Sequence, residues 1–380
     1  MAAKRFLGLD GLRGVCALSV LFFHCNDLFH KGAFFQHGYL AVDVFFILSG
    51  FVIALTYEQR LRARGQERHF LTKRAQKLFP TYWVGASFNV CILIAMAATG
   101  VVAQQDSWWM IWLFIPLTTL MLLPDYITPD GVLYPAMNSV AWSLFTEWLA
   151  YLGYAFSACR WRTSALVAVA ACGWVLMTVA GYYTNVGWCV GATRNTLLTL
   201  GVLRCVSGFA AGVVIYRIHR HPLFGRLPVI STEVLLALWL GIAAVPAFTP
   251  TPTFDAIAVV ILCPMLVCLL IRSEHKAPAY CKQLGALSYP LYVVHPGIIL
   301  AATYTPIFGL SHGPRPLNAI LVVALCLALA WLVMEIVARL PAGAKSGRGN
   351  QAAGSSRPVS IASPTELSGG SMPIGYQAAD

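Results

Sequence analysis

Long runs of apolar residues, separated by short polar stretches, dominate the chain. Ten of these runs reach about 18 residues or more, the length that an α-helix needs to cross roughly 30 Å of hydrocarbon. They occupy residues 12–29, 38–57, 78–103, 139–158, 163–182, 197–216, 229–247, 254–271, 285–305 and 317–338. The pattern predicts an all-α fold, a polytopic membrane bundle of about ten transmembrane helices.

Two stretches do not fit a simple series of spans. Residues 108–123 are apolar but are broken by Pro116 and flanked by loops without Lys or Arg. We predict that this stretch is re-entrant or interfacial, because irregular backbone is tolerated at membrane depth where protein buries it. From about Pro341 the chain is rich in Gly, Ser, Ala and Pro, and such a composition buries too little apolar surface to offset the entropy of ordering. We therefore expect a membrane domain over residues 1–340 and a disordered cytoplasmic tail over 341–380.

The distribution of charge sets the expected orientation. Only 11% of the 380 residues are charged, and the net charge is +11. A basic protein can bind nucleic acid, but here the topology explains the charge. With the N-terminus inside, only Lys31, Arg194 and Arg315 of the 26 basic residues fall outside, apart from Arg204 within a span. Because Lys and Arg in short loops favour the cytoplasmic side, we predict that both termini are cytoplasmic and that nucleic acid is not a partner.

Ionisable side chains inside the predicted spans are the first candidates for chemistry, since each costs at least ~2.5 kcal/mol in hydrocarbon. At ~1.5 Å per residue, His24, Asp43, Arg204 and Glu147 all lie about 8 to 12 Å from the outer ends of their spans. Ser143 lies one turn from Glu147 on the same helix face. Four helices would thus bring a histidine, two carboxylates and an arginine into one layer. The 11 cysteines show no C-x-x-C spacing, so we predict no metal site.

Each of these residues has a functional and a structural interpretation. His24 is either a general base or nucleophile, or a histidine that only hydrogen-bonds neighbouring helices. Glu147 and Asp43 either orient His24 or neutralise Arg204. His295, near mid-membrane, either lines the same cavity or is a satisfied core histidine.

A basic cluster is expected on the cytoplasmic side. The predicted loop between residues 58 and 77 carries seven basic residues, among them Arg74 and Lys77 one turn apart, and Arg13 enters the first span from the same side. Such a cluster can bind the phosphates of a nucleotide-like donor. It is also the ordinary result of membrane orientation and of contact with anionic lipids.

Four short motifs follow one another along the chain. They are arginine, ten residues, histidine (Arg13, His24); G-(F/Y)-x-x-V-x-x-F-F-x-x-S-G from Gly38; S-x-x-x-E-x-x-x-Y (Ser143, Glu147, Tyr151); and S-Y-x-x-Y-x-x-H (Ser288, Tyr289, Tyr292, His295). In this order the chain resembles the acyltransferase 3 family of membrane acyltransferases, from about Phe6 to the last span. One departure is Lys77, where the family usually has a second arginine, since lysine keeps the charge but loses the bidentate fork.

The resemblance implies an enzyme that transfers an acyl group, usually acetyl, from cytoplasmic acyl-CoA to a hydroxyl of an extracytoplasmic or lipid-linked carbohydrate. It implies an inner-membrane location, acetyl-CoA as a co-substrate and no permanently bound cofactor. Partners would be the lipid bilayer, acyl-CoA and the carbohydrate acceptor, and the oligomeric state is left open.

Combined with the residue analysis, the resemblance gives a set of predicted site residues. We predict catalytic roles for His24, Glu147, Asp43 and Ser143, donor binding by Arg13, Arg74 and Lys77, and substrate contacts by Tyr151, Arg204, Tyr292 and His295. The alternative is a proton-coupled transporter or sugar-lipid exporter that uses the same groups as a proton relay. Transporters often carry paired half-repeats, and we find none in this sequence.

Overall fold

The structure of the chain is a computed structural model. It describes residues 5–26, 35–98, 140–184, 197–246, 251–304 and 316–340, with Met121 and Trp188 as single residues. Within these ranges the protein is helical and contains no strand, which confirms the predicted all-α bundle. The predicted tail and, apart from Met121, the predicted re-entrant segment lie outside the described residues.

The α-helices of the described ranges are numbered in chain order. They are α1 (Leu7–His24), α2 (Ala41–Arg62), α3 (Glu67–Ala98), α4 (Ala141–Phe156), α5 (Thr163–Thr184), α6 (Val202–Ile218), α7 (Thr232–Ala244), α8 (Thr251–Ile257), α9 (Cys263–Arg272), α10 (Tyr280–Tyr304) and α11 (Pro316–Arg339). Two π-helical segments adjoin these α-helices. Leu197–Gly201 leads into α6, and Ala258–Leu262 joins α8 to α9.

Each of the ten predicted spans overlaps one of these helices or the joined pair α8–α9. Among the described residues, 8 helical segments are long and apolar enough to cross a membrane, with Pro252–Arg272 counted as one. The two remaining spans correspond to α4 and α7, which are shorter at 16 and 13 residues. The chain is therefore a multi-pass membrane protein.

The predicted basic loop between the second and third spans is wrong, because this segment is largely helical. α2 continues to Arg62 and α3 begins at Glu67, so Arg74 and Lys77 lie on α3. The segment is rich in Arg, Lys, Glu, Gln and Leu. These residues favour helix, although most of them are polar and the segment lies outside the apolar runs. Gly65 makes the short turn with φ 74°, a conformation that glycine adopts without a steric penalty. The two cations are consequently held one turn apart on a rigid element.

α1 and α10 pack closely and run in the same direction. A Cβ added to Gly14 would lie 2.5 Å from the Leu284 Cβ, so only glycine permits this approach. Small residues at such contacts let membrane helices come together over their full length. The contact brings His24, at the end of α1, beside His295 on α10.

α2 and α6 form a second close helix pair. A Cβ added to Gly50 would lie 2.0 Å from the Phe209 carbonyl oxygen, and one added to Gly212 would lie 2.0 Å from that of Ile47. Glycines on both helices therefore allow backbone contact. This pairing positions the buried charges of the two helices next to each other.

Candidate active site

A cavity of about 690 Å³ lies between α1, α2, α3, α4, α10 and α11. Basic residues border it near the start of α1 and in the first half of α3. Hydroxyl-bearing and acidic residues border it on α2, α4 and α10. The basic lining residues are Arg5, Arg13, Arg74 and Lys77; the polar ones include Ser49, Ser143, Glu147, Tyr151, Ser288 and Tyr292. Seven of the eleven predicted site residues thus border the cavity directly: Arg13, Arg74, Lys77, Ser143, Glu147, Tyr151 and Tyr292.

The basic end of the cavity is formed by Arg13, Arg74 and Lys77. The Arg74 guanidinium lies over the rings of Tyr57 and Tyr151, with its central carbon 5.2 and 5.8 Å from the ring centroids. Its Nε is buried and has no hydrogen-bond partner within the described ranges. Arg13 lies 3.9 Å from a carboxylate oxygen of Asp10, the outer limit of an ion pair. These cations have capacity to bind an anion that enters the cavity.

Glu147 and Tyr151 lie between the basic end and the interior. The Tyr151 hydroxyl donates to Glu147 Oε1 at 2.5 Å and lies 3.1 Å from Ser49 Oγ. Eight residues separate Tyr151 from Ser143 on α4, which corresponds to about 12 Å along the helix axis. The cavity therefore offers a passage about 12 Å long from the Arg74 end, at Tyr151, towards Ser143.

Ser143 and Tyr292 form the polar end of the cavity. Their hydroxyl oxygens are 2.8 Å apart, and Ser143 Oγ donates to the Val140 carbonyl at 2.9 Å. Because that bond uses the serine proton, the Tyr292 hydroxyl is the donor to Ser143 Oγ. The Tyr292 ring packs edge to face on Phe45 at 5.5 Å between centroids. A hydroxyl group is thus positioned at the innermost part of the passage.

His24 and His295 do not border this cavity but lie beyond Tyr292. The centroids of the Tyr292 and His295 rings are 6.0 Å apart, and His295 Nε2 lies 3.3 Å from His24 Nδ1. His295 is fully buried, whereas His24 is only half-buried. Tyr292, His295 and His24 therefore form a line from the cavity to a partly exposed imidazole at the other end.

Asp43 and Arg204 pair with each other rather than with His24. Arg204 Nε donates to Asp43 Oδ1 at 2.9 Å and Nη2 donates to Oδ2 at 2.6 Å, while Nη2 also donates to the Tyr39 carbonyl at 2.8 Å. Both side chains are buried, at 2% and 1% exposure. Of the two roles considered for Asp43, this geometry supports neutralisation of Arg204.

The expected carboxylate beside His24 is not present in the described part of the chain. Glu147 contacts Tyr151, Asp43 contacts Arg204, and the side-chain neighbour of His24 is His295. Counting residues along a helix gives the depth of a side chain, but it does not show which neighbouring helix the side chain faces. The layer predicted from depth therefore separates into distinct contacts.

Asp255 is a buried polar residue that the sequence analysis did not select. It accepts hydrogen bonds from the Tyr39 hydroxyl at 2.8 and 2.9 Å and from the Trp188 backbone N–H at 2.8 Å, and it lies 3.1 Å from His37 Nδ1. The available signal was a carboxylate at the start of an apolar run, where an ionisable group needs a partner. Through Tyr39 this cluster adjoins Arg204.

Comparison with known proteins identifies the family. A family model described as an acyltransferase domain matches residues 6–335. This chain belongs to the acyltransferase 3 family. The acyltransferase is 32% identical over 185 residues to "Protein 2 in picA locus" of Rhizobium radiobacter, covering 47% of this chain and 95% of that protein.

Two longer matches have more informative names. The acyltransferase is 25% identical to "Exopolysaccharide production protein ExoZ" of Rhizobium meliloti (strain 1021), over 70% of this chain and 80% of that protein. It is also 25% identical to "Acyltransferase MdmB" of Streptomyces mycarofaciens, over 77% and 78% respectively. No solved structure matches the chain. The resemblance seen in the motifs is confirmed, and the protein is an acyltransferase.

Proposed function

We propose that this acyltransferase moves an acetyl group from cytoplasmic acetyl-CoA to a hydroxyl of a carbohydrate on the outer face of the inner membrane or on a lipid carrier. One observation carries the proposal. A single cavity has Arg13, Arg74 and Lys77 at one end and the hydroxyls of Ser143 and Tyr292 at the other. An acyl-CoA has matching chemistry, since it is anionic at its nucleotide end and carries a thioester at the end of a narrow arm.

The basic end would hold the phosphates of the donor. Arg74 borders the cavity, and its guanidinium lies over two tyrosine rings, which limits its rotamers. Charge-assisted hydrogen bonds to phosphate are the strongest that these side chains make. Lys77 adds a point charge one turn further along α3, without the fork that an arginine would offer. The donor arm would then follow the passage past Tyr151 and Glu147.

The thioester would lie near Ser143 and Tyr292. As a nucleophile attacks its carbonyl carbon, negative charge develops on the carbonyl oxygen and needs a nearby donor. The Tyr292 hydroxyl can turn from Ser143 Oγ to that oxygen, while Ser143 keeps its bond to the Val140 carbonyl. Tyr292 is thus our candidate for oxyanion stabilisation.

His24 would act as the general base for the acceptor. Because His24 lies beyond Tyr292 and His295, this role requires the acyl carbonyl to extend past Tyr292 towards His24. The imidazole would then take the hydroxyl proton as the acceptor oxygen forms its bond to the carbonyl carbon, and the bond to the CoA sulfur would break to release the thiolate. His24 is half-buried at the end of α1 distant from Arg13, so an acceptor can approach from the side opposite to the donor. The donor and the acceptor would therefore enter through different openings.

The location and the acceptor are further parts of the proposal. The bias of basic residues supports an inner-membrane protein with both termini in the cytoplasm. One relative is named as an exopolysaccharide production protein, which supports a carbohydrate acceptor for this chain. Family membership favours acyl transfer over the alternative of a proton-coupled transporter.

The test combines donor binding with analysis of products. Purified protein in lipid nanodiscs is titrated with isotope-labelled acetyl-CoA, and envelope carbohydrates from cells with and without the gene are analysed by mass spectrometry. We expect saturable donor binding and O-acetyl groups that disappear with the gene. Unchanged carbohydrate acetylation together with no acetyl-CoA binding would refute the proposed function.

A further inference from the structure

The hydrogen bonds of His295 determine which of its nitrogens carries the proton. Its Nδ1 lies 3.0 Å from the Leu291 carbonyl oxygen, which can only accept a hydrogen bond. We therefore assign the proton of neutral His295 to Nδ1. A neutral imidazole has one N–H, so His295 Nε2 is left as an acceptor.

The same argument then applies to His24. Its Nδ1 faces two acceptors, the Val20 carbonyl at 3.0 Å and His295 Nε2 at 3.3 Å. Both contacts require a proton on His24 Nδ1. The opposite nitrogen, His24 Nε2, consequently has a free lone pair, and no described residue forms a hydrogen bond to it. A free imidazole lone pair is what a general base needs.

We propose that His295 is a positioning residue that, together with the Val20 carbonyl, holds His24 in the Nδ1–H form, and that it supports the positive charge of His24 once Nε2 has taken a proton. The proposal rests on the role of His24 as the base. In many enzymes a carboxylate receives the Nδ1–H of the catalytic histidine. Within the described ranges no carboxylate contacts either ring, and the neutral lone pair of His295 occupies that position.

The structure keeps His295 in this orientation. The side chain is fully buried, and Gly14 allows α10 to approach α1 closely. Pro296 has no N–H and therefore disrupts the hydrogen bonding of the preceding turn. The buried Asn89 amide on α3 donates to the Val293 carbonyl in that turn at 2.9 Å, which ties the turn to α3.

Two substitutions separate positioning from packing. His295→Gln keeps an amide oxygen close to the place of Nε2, where it can accept the His24 proton. Asparagine is shorter, so the amide of His295→Asn lies only near the former place of Nδ1, beside the Leu291 carbonyl, and no longer accepts from His24. We expect His295→Asn to lower kcat by roughly 100-fold with the acetyl-CoA KM unchanged, because His24 loses the side-chain acceptor that orients its ring and supports its positive charge. His295→Gln should recover at least about ten-fold of that loss.

A measurement on the unmodified protein guards against variants that do not fold. Solid-state NMR of ¹⁵N-histidine-labelled protein in lipid should show a protonated Nδ1 and an unprotonated Nε2 for His24, the signal being assigned as the one absent from His24→Gln. A protonated Nε2 in neutral His24 would overturn the proposal, as would equal kcat values for His295→Asn and wild type. If instead His24→Gln is fully active, the base role itself fails, and this outcome is distinct from a failure of His295 alone.

Discussion

The Tyr292 hydroxyl lies 2.8 Å from Ser143 Oγ, and both residues border the cavity whose other end contains Arg74 and Lys77. On the far side of the same helical turn, His295 contacts His24. One turn of α10 therefore separates the cavity from the imidazole.

The first prediction concerns the Tyr292 hydroxyl. Tyr292→Phe keeps the ring that packs on Phe45 but removes the proposed oxyanion donor. We expect kcat to fall roughly 100-fold or more, the usual effect of losing such a donor, with acetyl-CoA affinity unchanged. Steady-state kinetics and donor titration measure the two quantities. A smaller loss in Tyr292→Phe than in Ser143→Ala would show that the serine, and not the tyrosine, acts on the thioester.

The second prediction concerns donor binding at the basic end. Replacing Arg74 and Lys77 together with glutamine should weaken acetyl-CoA affinity, since each charge-assisted hydrogen bond contributes about 1.5 to 3 kcal/mol. The matched control replaces Arg64 and Arg68, which are exposed and do not border the cavity. Both double variants lose the same charge. Equal donor affinities in the two variants would mean that the basic cluster serves only membrane orientation.

The third prediction concerns His24 itself. His24→Gln retains a hydrogen-bonding side chain but cannot take up a proton at neutral pH. We expect normal insertion and a loss of activity of roughly 100-fold or more, the contribution of a positioned base. His24→Ala should also insert, because the half-buried position can admit water in place of the ring. Low expression with near-normal turnover in the surviving protein would instead indicate a structural histidine.

The fourth prediction concerns the buried Asp43–Arg204 ion pair. Asp43→Asn leaves Arg204 charged and without its carboxylate, and breaking a buried pair in this way costs about 3 to 5 kcal/mol. We expect a clear loss of thermal stability in detergent, which is measured by the change in intrinsic fluorescence on heating. Adding Arg204→Gln to Asp43→Asn should restore part of that stability. A stable Asp43→Asn protein without activity would point to a direct catalytic role for the carboxylate.

The fifth prediction concerns topology. In a cysteine-free variant, a cysteine at Arg64 should react with an impermeant thiol reagent only after the membrane is opened. A cysteine at Thr184, which ends α5 on the predicted outer side, should react in intact cells, and so should a cysteine at Pro129. Labelling of Pro129 and Arg64 from the same side would exclude the re-entrant assignment of residues 108–123.

The fold could be predicted from the sequence because membrane spans depend on the length and polarity of single segments. The candidate site could be predicted only in part. The depth of His24 follows from its place in the first apolar run, but its contact with His295 depends on the rotation of two helices that are distant in sequence. Likewise, the helical start of α3 was missed, since polar helix formers such as those before Lys77 do not extend an apolar pattern.

The contact between His24 and His295 joins positions 271 residues apart. Membrane proteins are synthesised from the N-terminus, so α1 enters the bilayer long before α10 has been translated. Throughout that interval the first histidine lacks the neighbour that we propose supports its positive charge, and the Tyr292 hydroxyl at the end of the cavity is also missing. We expect the nascent chain to remain unable to consume thioester until nearly all of its helices have been inserted. Premature release of the polypeptide should therefore yield inert fragments rather than a leaky hydrolase.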